Sequence, residues 1–229
     1  MKKYNELQNK GNSIPSLREG QGGFLQDKGN STPSLGEGWG GFLELHPLEP
    51  FLPEKAWLLM LGSFPPSKKR WSMDFFYPNF INDMWRIFGI LFFNDKDHFV
   101  DIENKRFKKN MLVDFLSKEG VALYDTACAV RRTKNTASDK DLEVVKPTDL
   151  DALLSKLPHC TTVITTGEKA ATVFASHFGC PVPKVGTSVD FSFKGKQMKL
   201  FRMPSSSRAY PMKLEKKAEM YKIGLERRD

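Results

Sequence analysis

Short apolar runs alternate with helical stretches from His46 onward, and this alternation constrains the fold more than any other feature of the chain. The runs AWLLMLGS (56–63), VALYDTA (121–127) and TTVITTG (161–167) have the length of buried strands. Residues 82–93 between the first two runs have the apolar spacing of a helix. Strands that alternate with helices predict a three-layer α/β/α sandwich with a short, mainly parallel central sheet.

Four further segments complete this prediction. A charged amphipathic pattern predicts a helical region over residues 98–118, and Pro147 is predicted to open another helix. Residues 188–206 are expected to form a hairpin that turns at Lys194-Gly195. The chain closes with a basic helix, LEKKAEMYKIGLE.

The N-terminal part of the chain differs from the rest because it contains a tandem repeat. Residues 10–26, KGNSIPSLREGQGGFLQ, recur as residues 28–44, KGNSTPSLGEGWGGFLE. Nine of the 17 glycines lie within residues 1–45, and a repeat of two Gly/Ser/Pro-rich copies has no face that could be buried. We therefore predict a flexible low-complexity extension over residues 1–45 and one domain over residues 46–229.

The net charge of +8 belongs entirely to the predicted domain, because basic and acidic residues balance within 1–45. Such a surplus favours a polyanionic partner without identifying one. The three cysteines form no CxxC pair, and the four histidines have no metal-ligand spacing, so we expect no metal and no cofactor. No secretory leader is evident and the longest apolar stretch, 84–93, is too short for a bilayer, so we expect a cytoplasmic protein without membrane contact.

Polar or small residues follow four of the predicted strands, where the carboxyl ends of parallel strands meet at one edge. Each exit taken alone is best explained as a turn, whereas four together favour a site. Asp125 is expected to cap the turn after its strand rather than to act as a base. The four exits are Gly62-Ser63-Phe64-Pro65-Pro66, Asp125-Thr126, Thr165-Thr166-Gly167 and Pro204-Ser205-Ser206-Ser207-Arg208.

An aromatic segment, RWSMDFFYPNFINDMW (70–85), follows the first exit. Its rings could stack on nucleic-acid bases, but Phe75, Trp85 and the nearby Phe88 are better explained as core. Asn82 lies at the predicted helix start, where an amide either caps the helix or faces a pocket. Spacing alone favours the cap.

Three segments resemble the uracil-DNA glycosylase superfamily, and most closely its hypoxanthine-DNA glycosylase branch, often called family six. They are HPLEPFLPEKAWLLMLGSFPP (46–66), FFYPNFINDMWRIFG (75–89) and MPSSSRAYP (203–211), and the resemblance extends over residues 46–225. It implies a monofunctional base-excision enzyme that flips a deaminated base from double-stranded DNA and hydrolyses its N-glycosidic bond. Hypoxanthine is the first expected base and uracil, particularly in mismatches, the second. A monomer is expected.

The resemblance also implies roles for individual residues. Asn82 matches the asparagine expected to be catalytic. Phe64 and Met203 stand where better-known branches carry an Asp or Asn and a His, so a catalytically inactive nucleic-acid-binding domain of the same fold is the alternative. Six residues are expected to bind the base: Gly62, Ser63, Phe64, Pro65, Phe76 and Tyr77. Six are expected to contact DNA: Ser205, Ser206, Ser207, Arg208, Arg131 and Arg132.

Overall fold

A computed structural model describes residues 43–133 and 141–226 of the chain. Most of the predicted extension, residues 1–42, lies outside these ranges. The elements in chain order are β1 (Leu43–Leu45), β2 (Leu58–Gly62), a 3-10 turn (Lys68–Arg70), α1 (Met84–Phe93), β3 (Val100–Asp101), β4 (Arg106–Phe107), α2 (Lys109–Glu119), β5 (Val121–Asp125), β6 (Ala127–Arg132), β7 (Leu142–Pro147), α3 (Leu150–Ser155), β8 (Thr162–Thr166), α4 (Glu168–Phe178), β9 (Thr187–Phe193), β10 (Lys196–Met203) and α5 (Leu214–Leu225).

Five strands form the central sheet in the order β5-β2-β8-β10-β9. The first four are parallel to their neighbours, and β9 is antiparallel to β10. Every residue of β2 and β5 is buried, which requires cover on both faces of these strands. Helices flank the sheet, with α1 against α5 and α4 against β8 and β9. The predicted α/β fold with a mainly parallel sheet is therefore confirmed.

The register of the sheet brings the four predicted strand exits to one edge. Gly62 pairs with Asp125 across β2 and β5, and Met203 pairs with Thr166 across β10 and β8. Because these strands run in the same direction, the segments that follow them leave the sheet side by side. The edge where a ligand site was expected is thus built from residues far apart in sequence.

Helix α1 is held by an almost wholly buried apolar face. Trp85 and Phe88 are fully buried and Phe75 packs beside them, as the sequence predicted for these three rings. The Trp85 indole N–H donates to the carbonyl oxygen of Phe76 at 3.1 Å. This packing fixes the start of α1, and with it Asn82, next to the carboxyl edge of the sheet.

A second, antiparallel sheet has the strand order β1-β6-β7. Its first strand, Leu43–Leu45, belongs to the segment that was predicted to be a flexible extension. Backbone pairing with Ala129, Val130 and Arg131 explains the difference. The first described strand consequently begins at Leu43, before the predicted boundary at residue 46.

Two local predictions are wrong. Residues 98–118 are not one helical region, because β3 and β4 form a short hairpin before α2 begins at Lys109. Pro147 ends β7 rather than opening a helix, and α3 begins three residues later. Asp149 supplies the cap of α3, since its side chain accepts a hydrogen bond from the Ala152 amide at 2.9 Å.

The predicted hairpin is confirmed. Strands β9 and β10 pair around Lys194 and Gly195, which have φ angles of 49° and 79°. Positive φ at both central residues is the requirement of a tight two-residue hairpin turn. Within the described ranges, no helix is long and apolar enough to cross a membrane.

Candidate active site

A cavity of about 100 Å³ opens at the carboxyl edge of the central sheet. Drug-sized ligands occupy pockets of roughly 300–1,000 Å³, so this cavity suits one small ring system. The structure brings the six predicted base-binding residues together here with Asn82, the serine segment and two residues from strand ends. The lining residues are Gly62, Ser63, Phe64, Pro65, Phe76, Tyr77, Asn82, Asp125, Thr166, Ser205, Ser206 and Ser207.

Asn82 combines the two roles that were weighed as alternatives. Its Oδ1 accepts a hydrogen bond from the Met84 backbone N–H at 2.9 Å, which satisfies one of the free amides at the start of α1. A backbone N–H can only donate, so this contact identifies the bonded side-chain atom as oxygen. The other end of the amide, Nδ2, has no hydrogen-bond partner among the described residues. Asn82 therefore supports the helix with its oxygen and offers a donor to the cavity.

The aromatic rings of the cavity differ in how far they can contact a ligand. Phe76 is buried, and Phe64 is buried beside Val130 and Leu142 with its ring against His46. Tyr77 is only half-buried and packs edge-to-face on Trp85 at 5.7 Å. Of these three rings, Tyr77 is therefore the most exposed and the best placed to contact a ligand.

Tyr77 also has an unusual backbone conformation. Its φ of 49° lies in the left-handed region, which a bulky side chain rarely adopts. Such strain concentrates at functional sites, where the surrounding structure holds it in place. The phenol lies 3.3 Å from the Thr166 hydroxyl. Although the residue as a whole is half-buried, its phenol group is buried; this burial, and secondarily the carboxylate of Asp125, raise the pKa of Tyr77 well above its ordinary value, so the phenol stays neutral.

The serine segment after β10 folds back on the start of α1. The Asp83 N–H donates to the Ser206 carbonyl oxygen at 2.9 Å, and Asn82 forms an isolated antiparallel bridge with Ser207. The Ser205 hydroxyl accepts from the Ser207 N–H at 3.2 Å, which shapes a tight turn. Ser206 is buried, whereas Ser205 and Ser207 are half-buried. The three serines expected to contact DNA thus form one wall of the cavity.

A buried ion cluster behind this wall was not predicted. The Asp83 carboxylate accepts from Lys217 Nζ at 2.9 Å and from Arg208 Nε at 3.0 Å. Lys217 is completely buried and donates also to the Ser207 carbonyl oxygen at 2.8 Å. One lysine of α5 therefore ties the start of α1 to the serine segment. The Arg208 side chain is half-exposed, so part of it remains at the surface.

Arg131 and Arg132, which were also expected to contact DNA, have different surroundings. Arg131 is half-exposed and pairs with Glu143 at 3.1 Å. Arg132 differs from the expectation of DNA contact, because its side chain is only 6% exposed and pairs with Glu44 at 2.9 Å, which gives it a structural role. It also donates to the Pro65 carbonyl oxygen at 3.1 Å, so it anchors β1 to the loop that lines the cavity.

Asp125 was expected to cap a turn, and the structure shows a different set of contacts. Its Oδ2 lies 2.9 Å from His46 Nε2, 79 positions earlier in the chain. Neither residue carries a local sequence signal for this pairing. Within residues 43–133 and 141–226, no three His, Cys, Asp or Glu side chains are grouped closely enough to hold a metal ion.

Comparisons with known proteins identify the fold that carries this cavity. No protein-family model matches the chain, and no curated protein matches it. A solved structure that is similar is the solution NMR structure of a "putative Uracil DNA glycosylase" from Methanosarcina acetivorans. The TM-score is 0.52 and the identity 20%, over 80% of this chain and 99% of that one. The chain therefore shares the fold of that structure, which agrees with the fold that the sequence resemblance predicted.

Proposed function

We propose that the chain is a DNA glycosylase that flips a deaminated base into the cavity at the carboxyl edge of its sheet. The reaction is hydrolysis of the N-glycosidic bond, which is reached only when the nucleotide leaves the base stack. The observation that carries the proposal is the position of Asn82 in a cavity of about 100 Å³ together with an accessible aromatic ring and a serine wall.

The role proposed for Asn82, donation of a hydrogen bond to the departing base, follows from the fixed orientation of its side chain. When the glycosidic bond breaks, negative charge develops on the departing base, and a preoriented donor lowers the barrier by stabilising that charge. Asn82 Nδ2 is such a donor, because Oδ1 is held by the Met84 amide at 2.9 Å. The positive end of α1 lies at the same place and acts in the same direction.

The remaining lining groups support a flipped nucleotide. Tyr77 stacks on the base, and Ser205 and Ser207 hold the flanking phosphates together with Arg208 and Arg131. Double-stranded DNA containing a damaged base is the partner, and the domain's net charge of +8 attracts it.

The proposed enzyme is monofunctional. A glycosylase that also cuts the strand uses an amine that forms a Schiff base with the sugar. None of the described residues that line the cavity is a lysine. Water is then the nucleophile, and the expected product is an abasic site in an intact strand.

Hypoxanthine is the first proposed base and uracil the second, and this order rests on the sequence resemblance of residues 75–89. The test is a single-turnover assay on duplexes that contain hypoxanthine, uracil opposite guanine, xanthine or mismatched thymine at one position. Adenine at the same position is the matched control. We expect free hypoxanthine or uracil by mass spectrometry, and strand cleavage only after alkali.

Binding of these duplexes without release of any base would contradict the proposed enzyme. It would instead favour the alternative, a domain that binds nucleic acid without catalysis. Phe64 and Met203 motivate that alternative, since they replace an acidic or amide group and a histidine of better-known branches.

A further inference from the structure

One wall of the cavity carries a carboxylate whose two oxygens have different surroundings. Asp125 Oδ2 is engaged by His46 Nε2 at 2.9 Å. Asp125 Oδ1 has no hydrogen-bond partner within residues 43–133 and 141–226, and Asp125 belongs to the lining of the cavity. Among the described lining residues it is the only acidic one.

The position of Oδ1 depends on the absence of a side chain at Gly62. A Cβ atom placed on Gly62 would lie 2.2 Å from Asp125 Oδ1, far inside van der Waals contact. The two residues are paired across β2 and β5, so the carboxylate lies over the end of the neighbouring strand. Glycine is therefore required here for space, and it lets Oδ1 reach the place where the first strand exit meets the cavity.

His46 holds the carboxylate without belonging to the cavity lining itself. Its backbone N–H donates to the Cys128 carbonyl oxygen at 2.8 Å, and Nδ1 lies 2.8 Å from the Leu48 carbonyl oxygen. The ring packs against Tyr124 at 4.7 Å and edge-on against Phe64 at 5.3 Å. The side chain is only 3% exposed, so the imidazole is a rigid support for Asp125.

We propose that Asp125 is the general base that activates the attacking water, and that His46 is its positioning residue. This inference rests on the proposed function. The C1′–N bond breaks and its electron pair leaves with the base; a bond forms between water oxygen and C1′; and one water proton passes to Asp125 Oδ1. The carboxylate also stabilises the positive charge that develops on the sugar before the water attacks.

The other lining groups are poorer acceptors for this proton. The pKa of Tyr77 is raised by burial, so its phenol stays protonated. The oxygen of Asn82 is held by the Met84 amide, and the serines are neutral. Phe64 has no polar atom at the place where related branches carry an acid or amide, and Asp125 brings a carboxylate to that same strand exit from the neighbouring strand.

The test compares four variants with the wild type on the duplex whose base the wild type releases. Asp125→Asn keeps the shape of the side chain and an oxygen for His46, but its amide cannot act as a general base. We therefore expect normal folding and DNA binding, with release of the nucleobase slowed at least about a hundred-fold. Asp190→Asn is the matched control, because this carboxylate on β9 is exposed and pairs with Lys199 on β10; it should leave the rate unchanged. His46→Gln retains a donor for Asp125, and its loss should be smaller than that of His46→Leu.

A second measurement separates water activation from recognition of the base. Azide is a nucleophile that needs no deprotonation, so it should restore base release in Asp125→Ala and leave an azide bonded to C1′. If Asp125 only contacted the edge of the base, azide would have no effect and the choice of base would change instead.

The outcomes distinguish the two proposals. A folded Asp125→Asn protein that releases the base within about threefold of the wild-type rate would overturn the role of Asp125 and leave the proposed glycosylase intact. Failure of azide to rescue Asp125→Ala would also overturn it. Absence of release by the wild type from every duplex would overturn the proposed function and, with it, this step.

Discussion

The ammonium group of Lys217 lies 2.9 Å from the carboxylate of Asp83, 134 positions earlier in the chain, and the lysine side chain is completely shielded from solvent. The same ammonium donates to the Ser207 carbonyl oxygen. A buried charge of this kind is tolerated only because each partner is hydrogen-bonded. The pair thereby joins the first residues of α1 to the serine wall of the candidate active site.

Removing the cation should destabilise the fold strongly. Lys217→Met leaves a buried carboxylate that, among the described residues, only Arg208 still hydrogen-bonds, and loss of one partner of a buried pair costs about 3–5 kcal/mol. The free energy of unfolding, measured with urea, gives this value directly. Adding Asp83→Asn in the double variant should recover part of the loss.

Lys216→Met is the matched control, because Lys216 is exposed and pairs with Glu219 on the surface of α5. An exposed pair contributes at most about 1 kcal/mol. Equal losses of unfolding free energy in the Lys216 and Lys217 variants would show that the buried pair stabilises the fold no more than the exposed pair does.

Truncation should separate the N-terminal repeat from the first strand. Deletion of residues 1–42 should change stability and DNA affinity little, because that segment carries few branched aliphatic residues. Deletion of residues 1–45 also removes β1 and leaves Arg132 without Glu44, for an expected loss of about 1–3 kcal/mol. Thermal unfolding of the two truncated proteins measures the difference, and identical midpoints would contradict the role given to β1.

The charge of the domain should make DNA binding steeply dependent on salt. Each lost phosphate contact reduces the slope of log K against log salt by about 0.9. Lys69→Ala, in the exposed turn after the first strand exit, and Arg131→Ala should each flatten the slope by about that amount. Fluorescence anisotropy over a salt series gives the slopes.

The control for the salt series is Lys194→Ala. Lys194 lies in the turn before β10, at the opposite end of the sheet from the cavity. The slope of log K against log salt for Lys194→Ala should equal that of the wild type. A flattened slope for Lys194→Ala with unchanged slopes for the other two variants would place the DNA elsewhere on the domain.

The fold could be predicted from local patterns because its central strands are apolar along their whole length. Strand β2 is buried on both faces of the sheet, and its sequence is accordingly a continuous apolar run. The four strand exits could be predicted for the same reason, since parallel strands end at one edge. The short hairpin of β3 and β4 escaped prediction because strands of two residues leave no periodicity.

The supporting contacts of the site could not be predicted. Lys216 and Lys217 are neighbours of the same type, and only the packing of α5 decides which one is buried. The pairing of His46 with Asp125 joins segments 79 positions apart, with no shared motif. Asn82, in contrast, could be identified from the sequence: its position at a helix start suggested the cap, and the resemblance to the glycosylase superfamily added the expected catalytic role.

The most direct test of the account is the single-turnover rate of base release by Asn82→Asp. The aspartate keeps an oxygen for the Met84 amide and suits the start of a helix, so the variant should fold and bind DNA like the wild type. It cannot donate to the departing base and repels its negative charge. Loss of one preoriented donor typically costs about 10²–10³ in rate, so we predict release at least about a hundred-fold slower. Release at the wild-type rate by a well-folded Asn82→Asp protein would contradict the central role of Asn82.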